Sequence, residues 1–367
     1  MKNSKINLKN VNLVLILIFP MIFLSFGLKK QNEIHEKLMI QGIGIDLLDN
    51  KYKVTVQAYD FKNPENKDEP KIKIIESESE TVSSALQNIK KITGLYPMYS
   101  QNKLIVISED IARKGVKNII DFFLRFYENR PSVKLRTSKL KAEDIFKTKI
   151  DDKLIKASEI KDLVDEKFDV NILEFERALE SKILSPVSFL IDKKENGQII
   201  CENIALFRDD KLVKMLSKNE TLGVKILKSH SKTGVCNVEL NDHNFISFEL
   251  ENVNTKIKLN IDENEHIKFY IDIQVSCDLI ETTKVFDDTK DMINESKDAI
   301  DRHLKQICEE AINASIVEKC DILKFGKIIR NNNPNIFKKV QFEDYLSKAE
   351  YYIKVDSKVS MVGIENK

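Results

Sequence analysis

Residues 38–59, LMIQGIGIDLLDNKYKVTVQAY, decide the fold class. The first half is a nearly unbroken apolar run. Asp49-Asn50 is turn chemistry, because short polar side chains tolerate the left-handed backbone that a tight hairpin needs. The second half alternates, with Tyr52, Val54, Val56 and Ala58 on one side. Two strands joined by a hairpin turn are predicted, and a strand-first chain points away from an all-helical protein.

Downstream the pattern changes period. Ile72 and Ile74 continue as a third strand, and Thr81 opens a helix whose apolar positions are Val82, Ala85, Leu86 and Ile89. Gly94 stops it. Residues 104–107 form a short apolar strand, and Ser108 is placed to cap a second helix. Gly115 separates that helix from a third over 116–128, with a stripe of Val116, Ile119, Ile120, Phe123 and Leu124. A strand over 133–137 closes an N-terminal α+β domain assigned to residues 29–140.

Residues 141–198 carry few apolar residues per turn and are expected to form a mainly helical middle domain or connector. The C-terminal α+β domain is assigned to 199–367. It begins with strands on either side of Asp209-Asp210, and further strands start at Val235, Phe245, Lys256 and Lys268. In the last of these Phe269, Ile271, Ile273, Val275, Cys277 and Leu279 share one face, as in a half-buried antiparallel strand. A long helix spans 287–318, with Met292, Ser296, Ile300, Leu304, Ile307, Ala311 and Ile312 on one stripe. A second helix over 335–349 and a strand over 351–361 complete the chain. The expected class is multidomain α+β, with mixed or antiparallel sheets each covered by helices.

Ahead of all this stands a leader, residues 1–28. Val11, Leu13, Val14, Leu15, Ile16, Leu17, Ile18, Phe19, Ile22, Phe23 and Leu24 make an uncharged apolar run with Pro20 inside it. Lys2, Lys5 and Lys9 precede it, and Lys29-Lys30 follow. About 16 residues is short of the roughly 20 that cross a bilayer comfortably as a helix. A basic start, an apolar middle and small residues at Ser25 and Gly27 give the layout of a signal peptide, with a cut before Leu28. The rest of the chain is therefore expected on the exported side.

Composition excludes several functions. Of 367 residues, 59 are Lys or Arg and 58 Asp or Glu, so no basic field for nucleic acid exists. Gly42-x-Gly44 lacks the third glycine of a dinucleotide loop and is followed by a strand, so close backbone approach is its expected role. His35, His230, His243, His266 and His303 fall at no metal-ligand spacing. Asp151-Asp152 and Glu174, Glu176 and Glu180 are expected on solvated helix faces. No nucleophile elbow or phosphate loop is present, and no cofactor or metal is expected. The five cysteines, Cys201, Cys236, Cys277, Cys308 and Cys320, are expected as buried small hydrophobes, with one bridge such as Cys308 to Cys320 left open.

Four blocks give a family resemblance. The first is Gln41-Gly-Ile-Gly-Ile-Asp46 with Lys51-Tyr-Lys-Val-Thr-Val56. The second is Asn102-Lys-Leu-Ile-Val-Ile107 with Glu109-Asp-Ile-Ala-Arg-Lys-Gly115 and Asp121-Phe-Phe-Leu-Arg125. The third is Ile204-Ala-Leu-Phe-Arg-Asp-Asp-Lys-Leu-Val213 leading to Glu220-Thr-Leu-Gly223. The fourth is Cys320-Asp-Ile-Leu-Lys-Phe-Gly326. In this order they resemble the Ger(x)C proteins, the C subunits of spore germinant receptors.

The resemblance implies a non-enzymatic lipoprotein on the outer face of the spore inner membrane, working with A and B subunits. No obligatory small-molecule ligand follows from it. One departure stands out. At the position of the family's lipidated cysteine this chain has Leu28, and its first cysteine is Cys201. Leucine has no thiolate to accept a lipid, so the leader is either retained as the anchor or cut after Gly27. The Lys29-Lys30 pair disfavours the cut. The alternatives are an extracytoplasmic solute-binding protein, which the absence of Trp argues against, and an envelope hydrolase without a known motif.

Overall fold

The computed structural model describes residues 36–61, 70–126, 128–165, 169–181, 183–230, 234–240, 243–340 and 342–361. Strands β1 (Lys37–Leu48) and β2 (Lys51–Asp60) form the expected hairpin, with Asp49 and Asn50 at φ 46° and 65°. β3 (Lys71–Ser79) pairs antiparallel with β2. Helix α1 (Val82–Thr93) begins where Thr81 Oγ1 accepts from Ser84 N at 3.1 Å, and ends at Gly94, φ 66°. Then come β4 (Tyr96–Met98), β5 (Leu104–Ser108), α2 (Glu109–Lys114), α3 (Lys117–Arg125) and β6 (Lys134–Ser138). Ser108 does precede α2, but its hydroxyl makes no capping bond.

The stretch expected to be mainly helical is mixed. It holds α4 (Ala142–Phe146), α5 (Ala157–Asp162) and α6 (Ile172–Ser181), but also strands β7 (Lys149–Ile150), β8 (Lys153–Leu154) and β9 (Val187–Lys193). Asp151 and Asp152, at φ 48° and 61°, turn the β7–β8 hairpin instead of lying on a helix face. β10 (Ile199–Arg208) and β11 (Lys211–Met215) follow, joined through Asp209 at φ 52°.

These strands build one nine-stranded sheet in the order β11-β10-β9-β6-β5-β1-β2-β3, with β4 beside the start of β1. Strands β9, β6, β5 and β1 run parallel, and the two flanks are antiparallel. The sheet crosses the boundaries expected at 140 and 198. Arg136, Thr137 and Ser138 of β6 pair with Phe189, Leu190 and Ile191 of β9, a long-range parallel pairing that local periodicity cannot show. A sheet with parallel centre strands is covered on both faces. Helices α1, α2, α3 and α6 pack on one face around Ile43, Ile105 and Leu135. On the other, Phe146, Ala157 and Ile160 meet Leu104, Val106 and Phe189.

That second core continues into the C-terminal part. Helix α7 (Lys218–Leu227) starts with a reciprocal Ser217–Glu220 capping box. A four-stranded sheet follows, β12 (Val235–Glu239), β13 (Phe245–Ile261), β14 (Ile267–Thr282) and β15 (Glu350–Met361), in sequence order across the sheet. The strands expected from Phe245 and from Lys256 are one 17-residue strand. β15 runs parallel to β14. The 29-residue helix α8 (Thr289–Val317) covers the inner face, burying Ile300, Leu304, Ile307, Ala311 and Ile312. Short helices α9 (Phe325–Asn332), α10 (Pro334–Lys339) and α11 (Phe342–Lys348) close the end, so the helix expected over 335–349 is two.

Gly42 and Gly44 face α4 and α5 from β1. A Cβ at Gly42 would lie 2.6 Å from Phe146 Cε1 and 2.8 Å from Ala157 Cβ, and one at Gly44 would lie 2.9 Å from Ala142 Cβ. The glycines therefore admit two helices to the middle of the sheet. Gly42→Ala should cost about 1–3 kcal/mol through overpacking. Guanidinium unfolding midpoints will read this, and adding Phe146→Leu should restore part of the loss. An unchanged midpoint for Gly42→Ala would contradict the packing.

Candidate functional site

The anchor residues Val11, Leu13, Val14, Leu15, Ile16, Leu17, Ile18, Phe19, Ile22, Phe23 and Leu24, together with Leu28, lie outside the described residues. Among the described residues no helix is long and apolar enough to cross a membrane. Nor do three or more His, Cys, Asp or Glu side chains among them converge as metal ligands would. His266 sits on its own hairpin against Asp262, at 3.1 Å, and His243 lies near Glu239, at 3.4 Å, far along the chain from His303 on α8. All five cysteines are buried and free, so Cys308 and Cys320 form no bridge. Burial pushes the thiols of Cys201 and Cys320 up to about 11 and that of Cys277 to about 12, which keeps them unreactive at neutral pH.

The motif blocks prove to be joints. In the first, Asp46 is buried, and its carboxylate accepts from Ala142 N at 2.7 Å and Glu143 N at 3.0 Å, fixing α4 to β1 beside the two glycines. Gln57 on β2 does the same for α5, accepting from Ala157 N at 2.6 Å and donating to Ile155 O at 2.8 Å. In the second, Asn102 accepts from Leu104 N, and Gly115, φ 129°, leaves room for Asp210, whose carboxylate accepts from Lys117 N at 3.1 Å. In the third, Thr221 Oγ1 accepts from Ile204 N at 3.2 Å, tying α7 to β10. Gly223 lets α7 meet α8 so closely that a Cβ would lie 2.2 Å from Ile307 O.

The fourth block is the most connected. Asp321 is fully buried and its carboxylate accepts from Leu323 N and Phe325 N at 3.1 Å, Gly326 N at 2.8 Å and Tyr345 Oη at 2.7 Å. Its carbonyl accepts from Ser185 N at 2.9 Å, just ahead of β9, and Cys320 Sγ lies 3.5 Å from Phe207 O of β10. Burial pushes the Asp321 carboxyl above the usual range, and the four donors pull it back only in part.

A second buried charge sits nearer the centre of the large sheet. The Arg136 guanidinium, wholly buried on β6, pairs with buried Asp169, one arm at 2.8 Å, and also donates to Leu135 O and Lys161 O. Lys134 Nζ adds a second cation 3.6 Å from Asp169. Such a pair positions the loop before α6 and becomes a liability if either partner is lost.

Two surface features remain. The first is a groove of about 420 Å³ walled by Leu86, Tyr96, Pro97, Tyr99, Phe122 and Phe126, with Lys90 and Lys91 on its rim. Phe122 and Phe126 stack at 5.4 Å, Tyr99 meets Phe126 edge-on at 5.1 Å, and Lys90 Nζ lies 4.7 Å from the Tyr96 ring centre. The second is a cleft of about 370 Å³ between α6 and the C-terminal part, where Phe175 and Val187 meet Glu174, Arg177, Lys228 and Lys324. No sequence motif announced either, because their walls come from separate elements; the aromatics of Asp121-Phe-Phe-Leu-Arg125 were the nearest signal.

Fold and site together define a multidomain α+β protein whose sequence motifs serve its architecture. The chain belongs to the GerAC-type spore germination proteins. Residues 30–193 match the spore germination protein N-terminal domain, and residues 202–363 match the spore germination B3/GerAC-like C-terminal domain. The crystal structure of the GerBC protein has the same fold, with a TM-score of 0.60 at 20% identity, covering 87% of this chain and 96% of that one. No curated protein matches.

Asp321→Ala would leave three backbone N–H groups and a tyrosine hydroxyl without their acceptor, a loss of about 3 kcal/mol or more. The pH dependence has a definite sign. With its folded value raised, Asp321 holds a proton in the folded protein where the unfolded chain has released it, so stability falls as pH rises through that window. Relative to Asp321→Asn, the parent chain should therefore gain stability on acidification from about pH 7 towards pH 4. Denaturant titrations at several pH values will test this; a parent that loses stability relative to the Asn variant would contradict it.

Proposed function

We propose that this chain is the non-enzymatic C subunit of a nutrient germinant receptor, held on the exported side of the spore inner membrane and acting with A and B subunits. The observation that carries the reading is that both germination-protein domains match over nearly the whole exported chain, while the motif residues within them are joints of the scaffold. Buried carboxylates such as Asp46, Asp169 and Asp321 are held by helix-end N–H groups or by Arg136. What such a protein offers partners is surface, and exposed apolar positions such as Val235, Ile280 and Val317 are where docking would be read out.

The membrane attachment is assigned to the leader. Leu28 replaces the lipid-bearing cysteine, and the apolar run from Val11 to Phe26 supplies the anchor in its place. A retained peptide of this length buries more apolar surface than one acyl chain, which alone gives only marginal binding.

A second reading has one feature in its favour. The cleft between α6 and the C-terminal part sets Arg177, Lys228 and Lys324 around apolar Phe175 and Val187, against Glu174 and an Asp169 already paired with Arg136, a lining with an excess of cations for a small anionic metabolite. Saturable thermal stabilisation of the chain by one such metabolite would favour a solute-binding protein.

Fractionation of dormant spores, followed by intact-mass measurement, tests the principal reading. The expected result is inner-membrane protein with residues 1–27 still attached. Soluble protein starting at Leu28 would overturn the anchor, and absence from spores would overturn the germination role.

A further inference from the structure

The aromatic groove lies where the chain arrives from its leader. β4 pairs in parallel with the first residues of β1, placing Tyr96 opposite Lys37 and Pro97 opposite Leu38. Lys37 is 11 residues beyond Phe26, the last residue of the apolar run. Even fully extended, that tether reaches no more than about 40 Å. The Tyr96 lip therefore stays within about 40 Å of the point at which a retained leader enters the bilayer.

The chemistry at that lip matches a membrane interface. Tyr96 is 43% exposed. Lys90 and Lys91 line the groove beside it, and Lys37 stands across the strand pair. Amphipathic rings with neighbouring lysines are what settles at the headgroup level of a bilayer, the ring among the upper acyl carbons and the ammonium at the phosphates. Glu128 is the carboxylate among the groove's lining residues. The outer face of the second sheet contrasts with this. There Tyr270 and Tyr352 stack at 5.0 Å, but their surroundings mix Lys256, Lys258 and Lys354 with Asp272 and Asp356.

We infer that the Tyr96–Phe122–Phe126 groove is a second membrane contact, seated on anionic phospholipid, which fixes the orientation of the tethered ectodomain. The proposal rests on the retained anchor described above. It adds a face to a tether: the leader supplies attachment, and the groove decides which side of the molecule meets the bilayer and which is left for other subunits. The groove alone is weak, but the tether raises its effective concentration at the surface, so even modest interfacial affinity suffices.

The chain contains no tryptophan, so one introduced ring is an unambiguous reporter. Full-length Tyr96→Trp, Phe122→Trp and Tyr270→Trp chains would be reconstituted into vesicles of phosphatidylglycerol and phosphatidylcholine carrying acyl chains brominated near the headgroup. Attachment is read by co-flotation, and contact by quenching. The expected result is that all three co-float, Tyr96→Trp shifts to the blue and loses most of its emission, and Tyr270→Trp keeps its emission. Phe122→Trp guards against a local disturbance at position 96 and should be quenched in the same direction. Co-flotation with neither groove reporter quenched would overturn this inference and leave the anchor standing. Failure to co-float would overturn the anchor and the inference together.

Discussion

The carboxylate of Asp321 is the interaction on which most of the structure depends. It gathers the N–H groups of Leu323, Phe325 and Gly326 and the hydroxyl of Tyr345, so it starts α9 and holds α11 against it. Through its own carbonyl it takes Ser185 N, and through its neighbour Cys320 it touches Phe207 O. One residue thus joins the helical end of the C-terminal part to the flank of the nine-stranded sheet. A buried carboxylate is stable only with such a full set of donors. Gly326 completes the fit, since a Cβ there would lie 2.5 Å from Tyr345 Oη.

This joint explains why the two halves share a core. The apolar cluster that begins with Leu104 and Phe146 runs on through Ile204 and Val224 to Phe269 and Ile307. The boundary between the two matched germination domains, at residues 193–202, falls in the hairpin between β9 and β10, inside the large sheet. Sequence modules and packing units need not coincide. Here the last strands of the sheet are supplied from beyond the module boundary.

Much of the fold was legible where one face of an element is buried. The alternation of β14 named Phe269, Ile271, Ile273, Val275, Cys277 and Leu279, all of which are buried, and the stripe of α8 was read almost to its ends. The apolar run of 104–107 was also legible as a strand, and all five residues of β5 are buried between β6 and β1. Legibility failed where the information is long-range or very short. The β7–β8 hairpin spans six residues, and its turn signal, Asp151-Asp152, looked like surface charge on a helix. Helix α7 carries its own start signal, the capping box Ser217-Lys-Asn-Glu220, but has no clean apolar stripe beside it. The close approach at Gly42 and Gly44 was anticipated, but the identity of Phe146 as the intruding side chain was not. The groove was out of reach altogether, because Tyr96 and Phe122 meet only after the sheet has formed.

The central functional claim is that spores need this chain to answer a nutrient. Deleting it and following release of spore-core contents after nutrient addition tests that most directly. The predicted result is loss of the response to the nutrient its receptor reads, restored by the parent chain supplied in trans, with germination by receptor-independent triggers intact. Spores that lack the chain and respond unchanged to every nutrient they ordinarily recognise would contradict it.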